Sequence, residues 1–263
     1  MLRQSLSRLA HAAAAALAVT FILVVSIATA PAQNAQGYGQ QGYGQERYGQ
    51  QAQGRPGQFD FYVLALSWSP SFCESASERN RTRGAEQQCG ARPYAFVVHG
   101  LWPQYERGFP SNCQVPAPRL SRDIVNSMLD IMPSPRLVFH EWDQHGTCAG
   151  LNQRVYFDTI RKAHEKIKIP ERYHDLAQPL MVSPGEVVGN FIAANAGSGL
   201  SADAMSIDCD YRRLREVRIC MNKDLSFRSC NEVARRSCRA DRLVMPPVRG
   251  PRAAEADETP RSR

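Results

Sequence analysis

The sequence predicts an α+β domain, and three observations favour that fold class. The apolar and aromatic run from Phe59 to Trp68, ended by Ser69-Pro70, has the length and composition of a buried strand. Apolar residues recur at helical spacing in Ser121 to Ile131 and in Arg154 to Lys168. These strands and helices alternate without the regular rhythm of βαβ units, so an α+β domain is favoured over a doubly wound sheet.

Other segments add elements to this domain. Tyr94 to His99 has the composition of a second strand. Ser183-Pro184-Gly185-Glu186 combines a capping box with a first-turn proline, which predicts that a helix begins there. Glu216 to Asn222 and Leu225 to Cys230 flank Lys223-Asp224, a pattern that predicts a β-hairpin.

The first 32 residues have the layout of a secretory signal peptide. Arg3 and Arg8 precede an apolar run from Ala12 to Ala30, and small residues follow, so we expect cleavage after Ala32. An uncleaved membrane anchor is the alternative, because an apolar run of this length could just span a bilayer. No basic stop-transfer run follows, which favours cleavage.

Two further segments have the composition of disordered chain. Residues 33–57 repeat a Gln-Gly-Tyr-Gly-Gln unit, which has too little aliphatic surface to fold alone. We predict a flexible linker there, with an adhesive or surface-binding role as the alternative. Residues 246–263 are rich in proline and charge and predict a disordered tail. One domain, residues 58–245, remains.

The chain has eight cysteines, and none lies in the predicted signal, linker or tail. An even number in an exported domain predicts disulfides, although about 105 pairings of eight cysteines exist and the count alone does not choose among them. No C-x-x-C pair indicates a zinc site. We therefore expect a periplasmic or secreted protein, without stable membrane association once the signal is removed.

The net charge of +7 falls to +5 when Arg3 and Arg8 leave with the signal. A moderate positive charge favours polyanionic partners. Arginines cluster near the C-terminal end of the domain, an arrangement that an ordinary solvated surface could also show. The cluster comprises Arg212, Arg213, Arg215, Arg218, Arg228, Arg235, Arg236 and Arg239.

Half of the six histidines lie in two short segments that are rich in Trp and Gly. Phe96 to Pro103 holds His99 at the end of a predicted strand, followed by Gly100, where backbone and ligand can come close. Trp102 follows, either as core packing or as a stacking surface for a base.

The second segment runs from His140 to Cys148. In a helix, its four hydrogen-bonding side chains would share one broad face, which suits acid-base chemistry; they are His140, Glu141, Gln144 and His145. A zinc peptidase is an alternative, because His140-Glu141 begins like H-E-x-x-H. The second histidine comes at i+5 rather than i+4, so the two imidazoles diverge by about 140° and do not line up on one metal.

Together the two segments resemble the active-site motifs of the ribonuclease T2 family, secreted endoribonucleases of α+β fold. Leu64 to Cys73 is similar to the family's first core strand and first cysteine. Glu216 to Cys220, followed by Lys223-Asp224-Leu225, is similar to its C-terminal strands. The resemblance implies one disulfide-bonded domain with a mainly antiparallel central sheet flanked by helices.

The resemblance also implies cleavage of single-stranded RNA through a 2′,3′-cyclic phosphate, with no metal or other cofactor. His145 matches the general base that takes the 2′-hydroxyl proton, and His99 matches the general acid that protonates the departing 5′-oxygen. His140 matches a phosphate-binding residue, and Glu141 matches the acidic residue that supports the charged phosphorane. Imidazoles titrate near neutrality, so two of them can serve as acid and base together. DNA lacks the 2′-hydroxyl and is not an expected substrate.

Gln144 departs from the family pattern, which has Lys or Arg just before the final histidine. An amide can donate a hydrogen bond to phosphate but cannot offset its growing charge, and losing one such contact costs on the order of 10² to 10³ in rate. We therefore expect a slower enzyme; the alternative is a catalytically weakened relative that binds RNA or a surface partner. Gln144 and Trp102 are the predicted substrate-binding residues, with Tyr105 and Phe109 as further candidates for stacking on a base.

The resemblance also implies four disulfides and a protein that acts as a monomer. The implied pairs are Cys73 with Cys89, Cys113 with Cys148, Cys209 with Cys238, and Cys220 with Cys230. The second pair would join the loop after the first motif to the end of the second motif. That bridge would hold the two halves of the site in register.

Overall fold

A four-stranded antiparallel sheet lies at the centre of the protein. The computed structural model describes residues 54–90 and 92–248. The strands are β1 (Phe61–Trp68), β2 (Phe96–Gln104), β3 (Leu180–Val182), β4 (Met205–Cys209), β5 (Leu214–Met221) and β6 (Leu243–Met245). The main sheet has the order β2-β1-β5-β4, and β3 pairs with β6 in a separate two-stranded sheet. All these pairs are antiparallel, as the sequence analysis expects of the central sheet.

Seven α-helices surround the sheet in the part of the chain that is described. They are α1 (Ser69–Glu78), α2 (Glu86–Cys89), α3 (Arg122–Asn126), α4 (Pro135–Gln144), α5 (Gln153–Glu165), α6 (Pro184–Ala194) and α7 (Asn231–Arg235). Short 3₁₀ turns occur at Gly146–Cys148, Glu171–Tyr173 and Ala202–Ala204. The mixture of helices and antiparallel strands confirms the α+β prediction.

The two faces of the central sheet have different surroundings. Leu64 and Leu66 of β1 lie on the face that packs against the helices in the main hydrophobic core, beside Val217 on β5. The other face holds a small apolar cluster around Phe61 and a row of polar side chains. Since both faces are covered, every residue of β1 is buried, which explains its continuous apolar run.

Several predicted elements are confirmed, and one is confirmed only in part. The capping box at Ser183 forms, with Glu186 donating its backbone N–H to the serine hydroxyl at 3.1 Å. The hairpin predicted for Glu216 to Cys230 forms only next to its turn. Met221 bridges Phe227, the Asn222 N–H donates to the Ser226 carbonyl at 2.8 Å and the Arg228 N–H donates to the Cys220 carbonyl at 3.2 Å, whereas the rest of β5 pairs with β1 and β4. The strand finds longer-range partners because they bury its apolar side chains.

Four disulfides join the cysteines in the pairs that the resemblance implies. Cys113 and Cys148, which are 35 residues apart, tie the loop after β2 to the turn after α4. This bridge lies directly beside the two histidine motifs.

Contacts at both ends extend the packed region past the predicted boundaries of 58 and 245. The backbone N–H of Gly57 donates to the Cys148 carbonyl at 2.9 Å. The Trp68 indole donates to the Pro246 carbonyl at 3.0 Å, and the Val248 N–H donates to Leu176 at 2.8 Å.

The predicted signal peptide, most of the predicted linker and most of the predicted tail lie outside the described residues. Within the described ranges, no helix is both long enough and apolar enough to cross a membrane.

Candidate active site

His99 occupies a β-bulge in β2. Ala65 of β1 pairs with Gly100, and the next β1 residue, Leu66, pairs with Val98, so His99 is the extra residue between them. Such a bulge re-aims a side chain relative to the regular pleat. The His99 ring is buried between two carboxylates, with Nδ1 2.5 Å from Glu216 Oε1 and Nε2 3.6 Å from Glu141 Oε1.

Glu141 is fully buried on α4 and faces β2. Its Oε2 accepts a hydrogen bond of 2.9 Å from the indole Nε1 of Trp102. The backbone of Gly100 lies so close that an added Cβ would stand 1.8 Å from this Oε2. The position after His99 must therefore be glycine for the carboxylate to reach the histidine.

His145 lies just past the last residue of α4, and its backbone N–H donates to the Glu141 carbonyl at 3.0 Å. Its ring centroid is 5.4 Å from that of Trp102 and 6.4 Å from that of His140. Among the residues that the structure describes, none forms a hydrogen bond with the buried Nδ1 of His145. The imidazole is desolvated without a charged partner of opposite sign, unlike that of His99.

The structure therefore brings the four predicted catalytic residues into one site: His99, His140, Glu141 and His145. His140 is exposed on α4, whereas Glu141 points into the site from the same helix. The Gln144 side-chain oxygen is 3.4 Å from Asn112 Nδ2, and the Gln144 carbonyl accepts from the Asn112 backbone at 2.9 Å. These two contacts tie the end of α4 to the loop after β2.

The predicted substrate-binding and stacking aromatics take different places. Trp102 lies half-buried in the middle of the site, with its ring edge-on to His99 and its indole N–H bound to Glu141. Phe109 lies near His145, at 6.5 Å between ring centroids, while Tyr105 packs against the main core. Contact with a base by Trp102 or Phe109 stays a prediction.

Sequence analysis missed three residues that contact this site: Ser67, Glu216 and Arg218. Glu216 is buried on β5 and binds His99, and it also accepts from the Ser67 hydroxyl at 3.2 Å. The Arg218 guanidinium lies over the Trp102 ring at 5.4 Å. The sequence did hold a signal for Glu216 and Arg218. Residues two apart in a strand lie on the same face of the sheet, so a Glu and an Arg at this spacing in an apolar strand predict a polar patch on that face.

The surroundings move the pKa values of His99 and His145 in opposite directions. Burial alone lowers the pKa of His99, but the charge and hydrogen bond of Glu216, with the charge of Glu141, raise it above its usual value. Burial lowers the pKa of His145 well below its usual value, and the charges of His140 and His99 lower it further. The surroundings thus favour the charged form of His99 and the neutral form of His145.

The other two predicted catalytic groups are shifted as well. Partial desolvation, with the charges of His99 and Arg136, lowers the pKa of His140. Burial raises the pKa of the Glu141 carboxyl to about 7, against the opposing effects of His99 and the Trp102 hydrogen bond. Glu141 can therefore take up or release a proton near neutral pH.

Two observations bear on the zinc alternative. Nowhere in residues 54–90 and 92–248 do three or more His, Cys, Asp or Glu side chains gather as metal ligands would. The rings of His140 and His145 stand nearly perpendicular, at 83°. A catalytic zinc ion requires three protein ligands on one tetrahedral centre.

Comparison with known proteins agrees with the two motifs. The sequence model of the ribonuclease T2 family matches residues 59–230, a span that includes both histidine segments. The chain belongs to the ribonuclease T2 family. It is therefore an RNA endonuclease, as the sequence analysis expects.

Curated relatives and solved structures share this family or this fold. A ribonuclease of Aeromonas hydrophila is 34% identical over 168 residues, which cover 64% of this chain and 74% of the relative. Ribonuclease I of Escherichia coli (strain K12) is 26% identical over 181 residues, which cover 55% of this chain and 62% of the relative.

Among solved structures, an RNase-related protein from Calystegia sepium matches with a TM-score of 0.56 at 20% identity, covering 73% of this chain and 98% of that one. RNase NT, in complex with 5′-AMP, matches with a TM-score of 0.52 at 23% identity, covering 72% and 98%. At these identities the likeness shows the shared fold alone.

Proposed function

We propose that this protein cleaves single-stranded RNA by metal-independent transphosphorylation, with His145 as the general base and His99 as the general acid. His145 takes the proton of the 2′-hydroxyl, and the 2′-oxygen attacks the phosphorus. The bond to the 5′-oxygen breaks, and His99 gives that oxygen a proton. The products are a 2′,3′-cyclic phosphate and a free 5′-hydroxyl.

The observation that carries this assignment is the contrast between the two histidines. A general base must be neutral when the substrate binds, and a general acid must be protonated. His145 is desolvated beside cationic groups, whereas His99 has a carboxylate at each ring nitrogen. The surroundings thus supply opposite protonation states at the same pH.

The remaining side chains suit the charge that develops on the phosphoryl group. His140 is exposed beside His145 and can donate to a phosphate oxygen. The side-chain oxygen of Gln144 accepts from Asn112. This contact orients the Gln144 NH₂ group so that it can donate to the phosphate. An amide lacks the positive charge that would best stabilise a phosphorane, so we expect the reaction to be slowed but not abolished.

The test is incubation of the oxidised domain with a defined RNA oligonucleotide in excess EDTA, with the equivalent DNA and a His145→Ala variant as controls. We expect cyclic-phosphate ends from RNA alone, identified by mass, and a loss of about 10² to 10⁴ in rate in the variant.

Two outcomes would contradict the proposal. Cleavage that stops in EDTA would point to a metal-dependent reaction. Intact RNA that nevertheless binds the protein would favour the weakened, RNA-binding alternative that Gln144 suggests.

We also propose that the mature protein is exported to the periplasm or secreted, acts as a monomer and does not stay bound to a membrane. The signal-like first 32 residues and the four disulfides support export. Cell fractionation and N-terminal sequencing of the mature chain test this, and we expect the chain to begin after Ala32.

A further inference from the structure

We propose that Glu216 is a positioning residue for RNA cleavage, because its carboxylate holds the Nδ1–H of His99 and so presents the opposite nitrogen, protonated, to the leaving group. The inference rests on the proposed role of His99 as general acid. Neither the motif resemblance nor the charge pattern of the sequence assigns Glu216 a role.

The Glu216 carboxylate is fixed in orientation because each oxygen has its own partners. Oε1 lies 2.5 Å from His99 Nδ1 and accepts from the Ser67 hydroxyl at 3.2 Å. Oε2 accepts from Arg218, with Nε at 3.0 Å and the terminal nitrogen at 2.9 Å. Only 4% of the Glu216 residue is exposed, so water does not compete for these bonds.

The contacts continue around the histidine and close into a ring. The Arg218 guanidinium covers the face of Trp102, and the indole N–H donates to Glu141 Oε2 at 2.9 Å. Glu141 Oε1 then lies 3.6 Å from His99 Nε2. Glu216 on strand β5 and Glu141 on helix α4 thus lie next to the two ring nitrogens of His99.

Charged groups face His99 from every element packed around it. Strand β5 supplies Glu216 and Arg218, and α4 with its C-terminal end supplies Glu141, His140 and His145. On the neighbouring strand β4, Asp208 lies 3.6 Å from Arg218. Burial opposes the ionised form of Glu216, but His99 and Arg218 outweigh burial and lower its pKa.

An ionised carboxylate at Nδ1 has two effects on an imidazole. It sets which nitrogen faces the substrate, because the bonded N–H fixes the ring orientation. It also favours the imidazolium and so raises the pKa of His99. Both effects act directly on the proposed general acid, His99.

The experiment compares Glu216→Gln with the parent enzyme on two substrates. One is an RNA dinucleotide, whose alkoxide leaving group requires an acid; the other is a nucleoside 3′-(4-nitrophenyl phosphate), whose phenolate leaves without one. We expect a loss of about 10²-fold on the dinucleotide and less than about tenfold on the aryl ester. The descending limb of the pH profile on the dinucleotide should move to lower pH, because the charge that raises the pKa of His99 is gone.

Two matched variants accompany this comparison. Glu216→Asp keeps the charge, so its descending limb should lie nearer to that of the parent than the limb of Glu216→Gln does. Glu165→Gln removes one exposed carboxylate from α5 and should leave both rates unchanged. Aryl-ester activity reports that each variant is folded.

The His99→Ala variant tests the proposed role of His99 separately from that of Glu216. A loss confined to the dinucleotide in His99→Ala, with an unshifted pH profile in Glu216→Gln, would overturn the role of Glu216 and leave the proposed mechanism standing. An equal loss on both substrates in His99→Ala would instead overturn the assignment of His99 as general acid.

Discussion

His99 and His145 are the same side chain in one site, and the protein treats them in opposite ways. His99 projects from a bulge in a strand and has a carboxylate at each nitrogen, Glu216 at Nδ1 and Glu141 at Nε2. His145 follows the end of a helix, beside aromatic rings and another histidine, with its Nδ1 buried. The difference shows that the surroundings of an imidazole move its pKa, which is what the proposed acid and base roles require.

The segments that carry His99 and His145, called here the His99 side and the His145 side, are also held in place by different contacts. The His99 side depends on a long-range pairing that joins β1, β2 and β5, whereas the His145 side depends on one helix end and the loop bound to Gln144. Changes on one side should therefore act mainly on one limb of the pH profile.

The largest effect is expected from Gly100→Ala, which disturbs only the His99 side. The added Cβ would lie 1.8 Å from Glu141 Oε2 and 2.6 Å from Trp102 Nε1, so the carboxylate must move away from His99. We expect turnover to fall about 10²-fold, as displacements near 1 Å do. Overpacking should also lower the free energy of unfolding by about 1 to 3 kcal/mol.

Steady-state rates and thermal unfolding check this prediction, with Gly189→Ala in α6 as the matched control. An added Cβ at Gly189 has no described neighbour within 4 Å, so this variant should keep its turnover and gain up to about 1 kcal/mol in stability. Normal activity in Gly100→Ala would show that the contact between Glu141 and His99 is dispensable.

A smaller effect, of opposite sign, is expected on the His145 side from Gln144→Lys. The ammonium group would add the positive charge that the amide lacks, and turnover should rise at least about tenfold. The same charge should lower the pKa of His145 further, which moves the ascending limb of the pH profile to lower pH and sharpens the contrast with His99.

Gln144→Met is the control, because it keeps the length of the side chain and removes the donor. Its turnover should fall below that of the parent. If Gln144→Lys is no faster than the parent, the departure from the family pattern at this position carries no rate penalty.

The cluster of candidate catalytic residues could be predicted from sequence because its members lie in two short motifs. His140, Glu141 and His145 lie within one turn and a half of chain, and His99 is marked by the glycine and tryptophan that follow it. The strand β1 could be predicted for a similar reason, since burial on both faces leaves a continuous apolar run.

Glu216 could not be found in this way. Its side chain reaches His99 only because β5 pairs with β1, which brings it beside Ser67, 149 residues earlier in the chain. The local pattern instead favoured a hairpin with Leu225 to Cys230, because short-range signals do not encode such distant pairing. The bulge at His99 is likewise a property of strand register, which no spacing in the sequence reveals.

The central claim is that His99 and His145 hold opposite charge states at one pH. The most direct measurement is an NMR titration of the isotope-labelled histidine rings in the free enzyme, with signals assigned from His99→Ala and His145→Ala. We predict that His99 titrates above the ordinary value of about 6.5 and that His145 titrates below it. Equal values, or His145 titrating above His99, would contradict it.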